Sequence, residues 1–497
     1  MLNRQVFNII GLSWVLLGFS MILSSFWSVY YSENDLLPLL YSSFITIFFG
    51  ALLYYVSKSK KNKELTSRDG FSIVSIGWIT MAVFSALPLY ISNFYFDNYS
   101  ISYLDCYFES MSGLTTTGAS ILGANTAYIE ELSHGLLFWR SFTQFIGGIG
   151  IVLFTIAILP ILGMGGVQLF RAEVAGPSVD KLTPRVKETA KYLCAIYFGL
   201  TGIQTVVLYI QGLIFNIEKL TLFNSICHSM TTISTAGFST FNNSILGFES
   251  DIVSWTIIVF MLLGSINFSL HFLYVFKKSF QYFNDSEFKF YFFAIIFISF
   301  LTFINLSSIH GYTFKNITAS VFNTVTFMST TGYTLYNYEA WPPLSQLFVF
   351  FMSFIGGMAG STTGGIKLIR TILVVKYIKA EISRTIHPRG LYNVKIGKNV
   401  IDDDIIRGTL GFYLFYILIF FISALLISAD GLDIISSLSI AASSIGNIGP
   451  GLGSIGPSGD WSFLSPFAKL LTTFCMLLGR LEIFSIIVIF SKSFWIK

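Results

Sequence analysis

The chain has 497 residues, of which 54% are hydrophobic and only 11% are charged, and its net charge is +4. A soluble domain usually carries about a quarter of charged residues. This composition excludes an ordinary soluble protein and indicates that a lipid bilayer is the solvent. The four cysteines are scattered without the paired spacing of a zinc site or a disulfide framework, so we predict that they are packing residues.

Apolar stretches long enough to cross a hydrocarbon core of about 30 Å recur along the whole chain. We predict ten crossings or near crossings, of which the clearest are residues 6–29, 36–57, 71–93, 188–213 and 252–276. The first two form an N-terminal pair within residues 1–68. The remainder divides into four units of similar pattern: 69–172, 173–280, 281–400 and 401–497.

Lysine and arginine gather in two segments, residues 58–68 and 367–407, whereas the opposite connections are acidic or neutral. Because cytoplasmic loops collect basic residues, both segments are predicted to be cytoplasmic, as are the N- and C-termini. Basic patches can also bind nucleic acid. These patches border transmembrane ends and lack a folded soluble domain around them, so we predict no nucleic-acid partner.

Each of the four units contains a shorter, semi-polar segment between two long apolar spans. These segments are residues 101–120, 219–239, 316–335 and 432–452. They are too short and too polar to cross the membrane, and irregular backbone at membrane depth survives only where protein buries it or where it lines a wet cavity. The sequence therefore predicts an all-α polytopic membrane protein with four pseudo-fourfold-related helix/pore-loop/helix repeats around one ion pore, plus two extra N-terminal transmembrane helices.

The pore loops end in four similar triplets: Thr116-Thr117-Gly118, Thr235-Ala236-Gly237, Thr330-Thr331-Gly332 and Asn447-Ile448-Gly449. Glycine permits the backbone angles that turn successive carbonyls inward, and rings of carbonyls can replace the hydration shell of a cation. Pore helices that end near the bilayer centre also direct their negative dipole ends toward a cation. One such motif alone would indicate helix packing. Four copies without a carboxylate indicate a filter for a monovalent cation.

A glycine-rich stretch interrupts the apolar span from residue 344 to residue 378, at Gly356, Gly357, Gly360, Ser361, Thr362, Thr363, Gly364 and Gly365. A continuous helix would be costly there, and the spacing of a nucleotide-binding P-loop is absent. We predict an unwound break in the second helix of the third repeat.

Arg480 lies in another apolar stretch, where an unpaired guanidinium facing lipid would cost at least about 2.5 to 3.5 kcal/mol. We expect it to face the interior, either toward the pore, where it would repel cations, or in an ion pair with another helix. Glu482 is two positions away and lies on a different helix face. For Arg140, Gln144, Asn267 and His271 we expect interhelical hydrogen bonds.

The motifs SMSGLTTTGAS, SMTTISTAGFST, FMSTTGYTLYN and SSIGNIGPGLG resemble the filter loops of the Trk/Ktr/HKT potassium transporter superfamily. The resemblance covers nearly the whole chain and is closest to the TrkH-type bacterial membrane subunits, which share the two extra N-terminal spans. It implies that the twelve triplet residues bind potassium and that a glycine in all four loops gives potassium selectivity. Asn447 departs from the Thr-x-Gly form, which leaves strict selectivity in doubt.

The same resemblance identifies residues 356–365 and Arg480 as a gate beneath the filter. It also implies a homodimer in membrane lipid, docked on a cytosolic ring of nucleotide-binding TrkA-type subunits. Because the sequence shows no Rossmann-like soluble domain, we predict no organic cofactor in this chain, only the transported potassium ion. The basic segment 367–407 could form part of that docking surface.

Together these features predict potassium uptake across the bacterial inner membrane by gated, channel-like conduction. The alternative is a proton- or sodium-coupled secondary transporter, although such folds usually show inverted twofold repeats. A membrane enzyme would need a cluster of catalytic side chains, and the five dispersed histidines show neither metal spacing nor a nucleophile partner. We predict that the protein is not an enzyme.

Overall fold

A computed structural model describes residues 3–58, 66–95, 101–123, 126–157, 186–390, 392–397 and 399–495. The first two helices, α1 (Arg4–Tyr30) and α2 (Leu36–Ser57), form a tight antiparallel pair. Small residues make the close approach possible: a Cβ built on Gly11 would lie 2.8 Å from the carbonyl oxygen of Gly50, and Ser43 donates to the carbonyl of Gly18 at 2.8 Å. Both helices are long and apolar enough to cross a membrane, as expected of residues 1–68.

Four helical units follow. The first contains α3 (Ser67–Ser85), α4 (Leu87–Tyr95), α5 (Tyr103–Leu114) and α6 (His134–Ala157). The second contains α7 (Val186–Phe215), α8 (Leu222–Ile233), α9 (Asp251–Ser265) and α10 (Phe268–Lys277). The third contains α11 (Ser286–His310), α12 (Phe314–Met328), α13 (Pro343–Met352) and α14 (Leu368–Ile386). The fourth contains α15 (Asp403–Ala429), α16 (Ile434–Gly446), α17 (Pro466–Arg480), α18 (Phe484–Phe490) and α19 (Lys492–Trp495).

The remaining regular structure is short. An antiparallel hairpin of β1 (Lys395–Ile396) and β2 (Asn399–Val400) separates the third and fourth units. Single 3₁₀ turns lie at Ile129–Glu131, Ser244–Phe248, Tyr282–Asn284, Tyr338–Ala340 and Gly453–Ile455.

Within the described residues, seven helices are long and apolar enough to cross a membrane, and two bent pairs raise the number to nine. The described residues therefore hold up to nine candidate crossings, against the ten crossings or near crossings that the sequence predicts. The bends were not predicted: α9 meets α10 at 94°, and α17 meets α18 at 118°. The apolar stretch 252–276, expected as one long span, is therefore two helices.

The proposed unit boundaries remain predictions. Boundaries 280/281 and 400/401 lie between helices, boundary 68/69 lies in the first turn of α3, and boundary 172/173 lies outside the described residues. Most of the basic segment 58–68 also lies outside them. Among the described residues the four cysteines form no disulfide; Cys106, Cys227 and Cys475 are buried, and Cys194 is partly buried, as expected of packing residues.

The four short helices α5, α8, α12 and α16 begin alike, and we call them pore helices 1 to 4. Each has a Ser, Thr or Asp N-cap whose side chain accepts the backbone N–H three residues later. The caps are Ser102, Thr221, Thr313 and Asp433. Such caps accept hydrogen bonds from N–H groups in the first turn of the helix, which have no partner within the helix and would otherwise be unpaired inside a membrane protein.

Candidate selectivity filter and gate

The pore helices also end alike. After pore helix 1, the N–H of Thr116 donates to the carbonyl of Gly113 at 3.0 Å, and the N–H of Thr117 donates to that of Ser112 at 2.9 Å. The same two bonds, reaching three and five residues back, close the other three pore helices at Thr235 and Ala236, Thr330 and Thr331, and Asn447 and Ile448. This pattern is the Schellman helix end, whose first residue beyond the helix adopts a left-handed conformation.

The left-handed residues are the first members of the four triplets. Their φ angles are 52° at Thr116, 51° at Thr235, 53° at Thr330 and 54° at Asn447. A β-branched threonine at positive φ is strained and persists only where its surroundings fix it, whereas asparagine tolerates this region. The departure of the fourth loop from the Thr-x-Gly form therefore preserves the backbone shape of the other three.

The third members of the triplets, the four glycines, close a ring. A Cβ added to Gly118 would collide with the carbonyl oxygen of Ala236, one added to Gly237 with that of Thr331, and one added to Gly332 with that of Ile448. One added to Gly449 would lie 2.8 Å from the carbonyl oxygen of Thr117, which completes the circuit. Each glycine, at φ between 77° and 97°, thus packs against the carbonyl that precedes the next glycine. The triplets lie around one axis.

A cavity of about 250 Å³ opens on one side of this ring and is lined by all four glycines. Its walls include Asp460, Arg140, Ser239 and Asn242. The cavity leads from the loops that follow the triplets directly to the ring. It is suited to act as the mouth through which an ion reaches the glycines.

Hydroxyl and amide groups behind the loops hold the triplets in place. Thr115 shares a hydrogen bond with Thr117 at 2.8 Å, and Ser329 shares one with Thr331 at 2.7 Å. Gln144 of α6 donates to the carbonyl of Ala236 at 2.8 Å and accepts the N–H of Phe238 at 3.0 Å. The interhelical bond expected of Gln144 is instead a bond from a helix to the loop that follows pore helix 2.

A buried ion pair, which the sequence reasoning missed, lies behind the first two loops. The guanidinium of Arg140 lies 2.8 Å from the carboxylate of Glu109, and their side chains are 5% and 3% exposed. Glu109 also accepts the N–H of Ile121 at 2.9 Å, and Arg140 donates to the carbonyl of Ser239 at 3.3 Å. The pair therefore joins the segments that leave loops 1 and 2. The sequence signal for this ion pair was a glutamate inside an otherwise apolar pore helix.

The second helix of the third unit is interrupted as predicted, over residues 353–367, somewhat longer than the expected 356–365. We call residues 353–367 the intramembrane loop. Its two ends are joined by bonds from Gly356 N–H to the Ile366 carbonyl at 2.9 Å and from Ile366 N–H to the Phe354 carbonyl at 3.2 Å. These two bonds close the base of the loop.

The tip of the intramembrane loop contacts the triplets on the side where the pore helices end. The Thr362 hydroxyl bonds the carbonyl of Ile233, the last residue of pore helix 2, at 2.9 Å. The Gly364 N–H donates to the hydroxyl of Thr330 at 2.7 Å, and the Thr235 hydroxyl donates to that of Thr362 at 3.2 Å. Two of the four triplets are thus bonded directly to the loop.

Arg480 is buried, with 2% of its surface exposed, and holds the intramembrane loop. It donates to the carbonyl of Thr362 at 2.7 Å and to that of Gly147 in α6 at 3.1 Å. Among the described residues, no carboxylate lies within ion-pair distance of it. The ion pair considered as its alternative role is therefore not formed. Arg480 links the loop to the first and fourth units.

Two carboxylates, also missed from the sequence, hold the start of α14. Glu287 of α11 accepts the N–H groups of Ala359 and Ile369, each at 3.0 Å. Glu482, which has no local pair with Arg480, forms an ion pair with Arg370 at 2.6 Å. The intramembrane loop is therefore fixed at its tip by Arg480 and at its exit by these acids.

Glu287→Ala should loosen the intramembrane loop, because two buried N–H groups would lose their acceptor and each unpaired group costs about 1 to 3 kcal/mol. We expect faster protease cleavage or faster amide hydrogen exchange in residues 356–369. Glu287→Gln, which retains an accepting oxygen, is the matched control. Equal exchange in both variants would show that the two bonds do not hold the loop.

In three units a glycine of the second helix packs against the end of the pore helix, and in the second and fourth units the helix bends just after it. A Cβ on Gly147 would collide with the carbonyl of Leu114, one on Gly264 would lie 3.0 Å from that of Ile233, and one on Gly479 would collide with that of Ile445. Each carbonyl belongs to the end of the pore helix in the same unit. The sequence signal for these contacts was a glycine that recurs at the end of an apolar run.

Two polar residues near the α9–α10 bend act locally. Asn267, expected to bond another helix, caps α10 by accepting the N–H of Ser269 at 2.8 Å, because the span ends and restarts there. His271 lies across the bend, 2.9 Å from the carbonyl of Leu263, and contacts the hydroxyl of Tyr282 at 2.8 Å. Among the described residues no His, Cys, Asp and Glu cluster could hold a metal ion.

The family model TrkH, described as a cation transport protein, matches residues 39–495. The chain belongs to the TrkH family. The Trk system potassium uptake protein TrkH of Vibrio parahaemolyticus is 36% identical to it over 499 residues, covering 99% of each chain. The protein of that name from Escherichia coli K12 is 34% identical over 497 residues, again with 99% of each chain covered.

The crystal structure of the potassium transporter TrkH from Vibrio parahaemolyticus superimposes on the whole chain with a TM-score of 0.89 and 34% identity, covering 100% of both chains. The predicted all-α, multi-pass membrane fold and the resemblance to TrkH-type subunits are therefore confirmed. TrkH proteins are a membrane transport family without enzymatic activity, which confirms that this chain is not an enzyme.

Proposed function

We propose that this chain takes up potassium across the bacterial inner membrane by gated, channel-like conduction through the four triplets. The observation that carries the proposal is the closed ring, in which each filter glycine packs against the carbonyl before the next glycine. Neutral carbonyl rings suit a weakly hydrated monovalent ion. The relatives' names, which specify potassium uptake, support potassium as that ion.

Conduction needs no coupled reaction to concentrate potassium. A potential of about 100 mV, negative inside, is worth roughly 2.3 kcal/mol for each monovalent charge. At about 1.4 kcal/mol per factor of ten, this supports roughly 40-fold to 50-fold accumulation. The membrane potential is a sufficient driving force.

The gate in this proposal is the intramembrane loop with Arg480. The loop lies against the pore-helix ends, and the Arg480 guanidinium is bonded to its tip. A fixed positive charge beneath the filter opposes the entry of a cation. The conformation described here is accordingly the shut one, and opening requires the tip to leave Thr235 and Thr330.

Regulation would come from outside the chain. We propose a homodimer whose termini and basic segment 367–407 face the cytoplasm, docked on a ring of nucleotide-binding TrkA-type subunits. The long α14 supports this arrangement because it continues the intramembrane loop directly and carries Lys376, Lys379 and Arg384. A force on α14 would therefore reach the gate. The chain itself needs no organic cofactor for this role.

Uptake of radioactive rubidium into liposomes tests the proposal. Purified wild-type protein should take up rubidium in proportion to an imposed inside-negative potential, without a proton or sodium gradient. Uptake that ignores the potential, or that requires either gradient, would instead support the coupled transporter.

Gly118→Ser should lower the preference for rubidium over sodium by at least about tenfold, equivalent to roughly 1.4 kcal/mol. Gly118 has φ 77°, and an added Cβ would collide with the Ala236 carbonyl, so the ring must distort. Gly311→Ser is the matched control, because Gly311 has the same φ of 77° but open space around it. Unchanged selectivity in folded Gly118→Ser would contradict the filter assignment.

A further inference from the structure

The cavity beside the glycine ring, which we call the mouth cavity, has two charged side chains in its walls, Asp460 and Arg140. The guanidinium of Arg140 is already paired with Glu109 at 2.8 Å. Among the described residues, no basic side chain lies within ion-pair distance of Asp460. The walls of the mouth cavity therefore carry one uncompensated charge, and that charge is negative.

Local contacts fix the position of the Asp460 carboxylate. Its Oδ1 accepts the backbone N–H of Ser462 at 2.8 Å and also accepts the hydroxyl of the same residue. Its Oδ2 lies against Gly123, because a Cβ built on that glycine would collide with it. Gly123 follows the first filter loop and lines the same cavity. The carboxylate is therefore held in the cavity wall where the first and fourth units meet.

Two other carboxylates contact residues of the wall but do not line the cavity themselves. Glu130 accepts the backbone N–H of Asn242 at 2.8 Å, and Glu339 lies so close to Gly456 that a Cβ built there would collide with it. Both glutamates are exposed, whereas Asp460 is partly buried. Water and salt screen exposed charges strongly, so we expect Asp460 to dominate the field inside the cavity.

We propose that Asp460 captures cations for the filter by raising their concentration in the mouth cavity. The inference rests on the proposed function. A cleft with low-dielectric walls focuses the field of its charges, and such clefts raise the local concentration and the arrival rate of counter-ions by about tenfold or more. One carboxylate does not replace the hydration shell of an ion, which is the task of the carbonyl rings. Asp460 therefore sets how fast cations arrive and leaves the choice between them to the filter.

Uptake of rubidium into liposomes, measured over a range of rubidium concentrations, tests this role. Asp460→Asn keeps an oxygen that can accept the Ser462 N–H and removes the charge. At low ionic strength the variant should need about threefold to tenfold more rubidium for half-maximal uptake. The maximal rate and the preference for rubidium over sodium should stay at their wild-type values, because the glycine ring is unchanged.

Ionic strength separates an electrostatic role from a structural one. The Debye length falls from about 30 Å at about 10 mM salt to about 3 Å at about 1 M. Raising the ionic strength with N-methyl-D-glucamine chloride should therefore abolish the difference between Asp460→Asn and wild type. Glu339→Gln is the matched control, because it removes a carboxylate that contacts the wall from outside the cavity. It should behave as wild type at both ionic strengths.

Asp460→Cys provides a second test, in which reagents place opposite charges at one position. Sulfonatoethyl methanethiosulfonate adds a negative charge and should lower the half-saturating rubidium concentration of this variant at least about threefold. Trimethylammonioethyl methanethiosulfonate adds a positive charge and should raise that concentration. Wild-type protein treated with each reagent is the control, since Cys106, Cys227 and Cys475 are buried and Cys194 is partly buried.

Three results would overturn the inference while leaving conduction intact. Asp460→Asn could match wild type at low ionic strength, its difference could persist at high ionic strength, or the two reagents could act alike on Asp460→Cys. Failure of the proposed function would look different, because wild-type protein would then take up no rubidium in response to the membrane potential.

Discussion

Arg480→Ala should raise rubidium uptake by the isolated protein about 10-fold to 150-fold. Arg480 holds the shut loop through one charged hydrogen bond, at 2.7 Å to the Thr362 carbonyl, and is itself anchored on α6 by a bond at 3.1 Å to the Gly147 carbonyl. A hydrogen bond to a charged group contributes about 1.5 to 3 kcal/mol, and this energy is lost mainly from the shut state. The ratio of open to shut protein then rises by the corresponding factor. Initial uptake rates into liposomes measure it.

The identity of the passing ion separates an opened gate from a damaged protein. Arg480→Ala leaves the glycine ring untouched, so its uptake should still favour rubidium over sodium and exclude N-methyl-D-glucamine. Arg407→Ala, which removes an exposed arginine from the same unit, should behave as wild type. Wild-type uptake in a folded Arg480→Ala protein would mean that the arginine does not hold the gate.

The shapes of the four pore loops could be predicted from sequence because local chemistry determines them. A short helix with a glycine two positions after its left-handed end marks each loop. The surroundings hold the three strained threonines at that end, whereas asparagine tolerates it. Asn447 shows this best: it differs chemically from threonine yet adopts φ 54°, within a few degrees of the other three. The break near residues 356–365 was likewise predictable from its glycines.

The partners of the buried charges could not be predicted in this way. Arg480 reaches carbonyls 118 and 333 positions away in the chain, and Arg370 pairs with Glu482 across 112 positions. Such contacts depend on how the units pack. Every residue has a backbone carbonyl, so the sequence does not show which carbonyl accepts a hydrogen bond from the arginine. The bends after α9 and α17 were missed because hydropathy is nearly continuous through them, although Glu482 and Ile483 both adopt positive φ at the second bend.

Arg140→Met should cost about 3 to 5 kcal/mol of stability, the usual effect of leaving one member of a buried ion pair alone. The remaining Glu109 carboxylate is 3% exposed and would retain neutral donors such as the Ile121 N–H at 2.9 Å. Thermal unfolding of the detergent-solubilised protein measures the loss. Glu249→Gln is the control: it breaks the Lys219 pair, whose side chains are 52% and 76% exposed, and exposed pairs contribute little.

The double variant Glu109→Leu with Arg140→Met distinguishes an ion pair from two independent contacts. Removing both charges leaves neither one buried and unpaired, so the double variant should be more stable than the sum of the single losses predicts. Losses that simply add would show that the two side chains do not interact. The pair also joins the segments after loops 1 and 2. In the double variant the Ser239 carbonyl and the Ile121 N–H would both lose their partners. We therefore expect the double variant to lose rubidium selectivity even where it recovers stability.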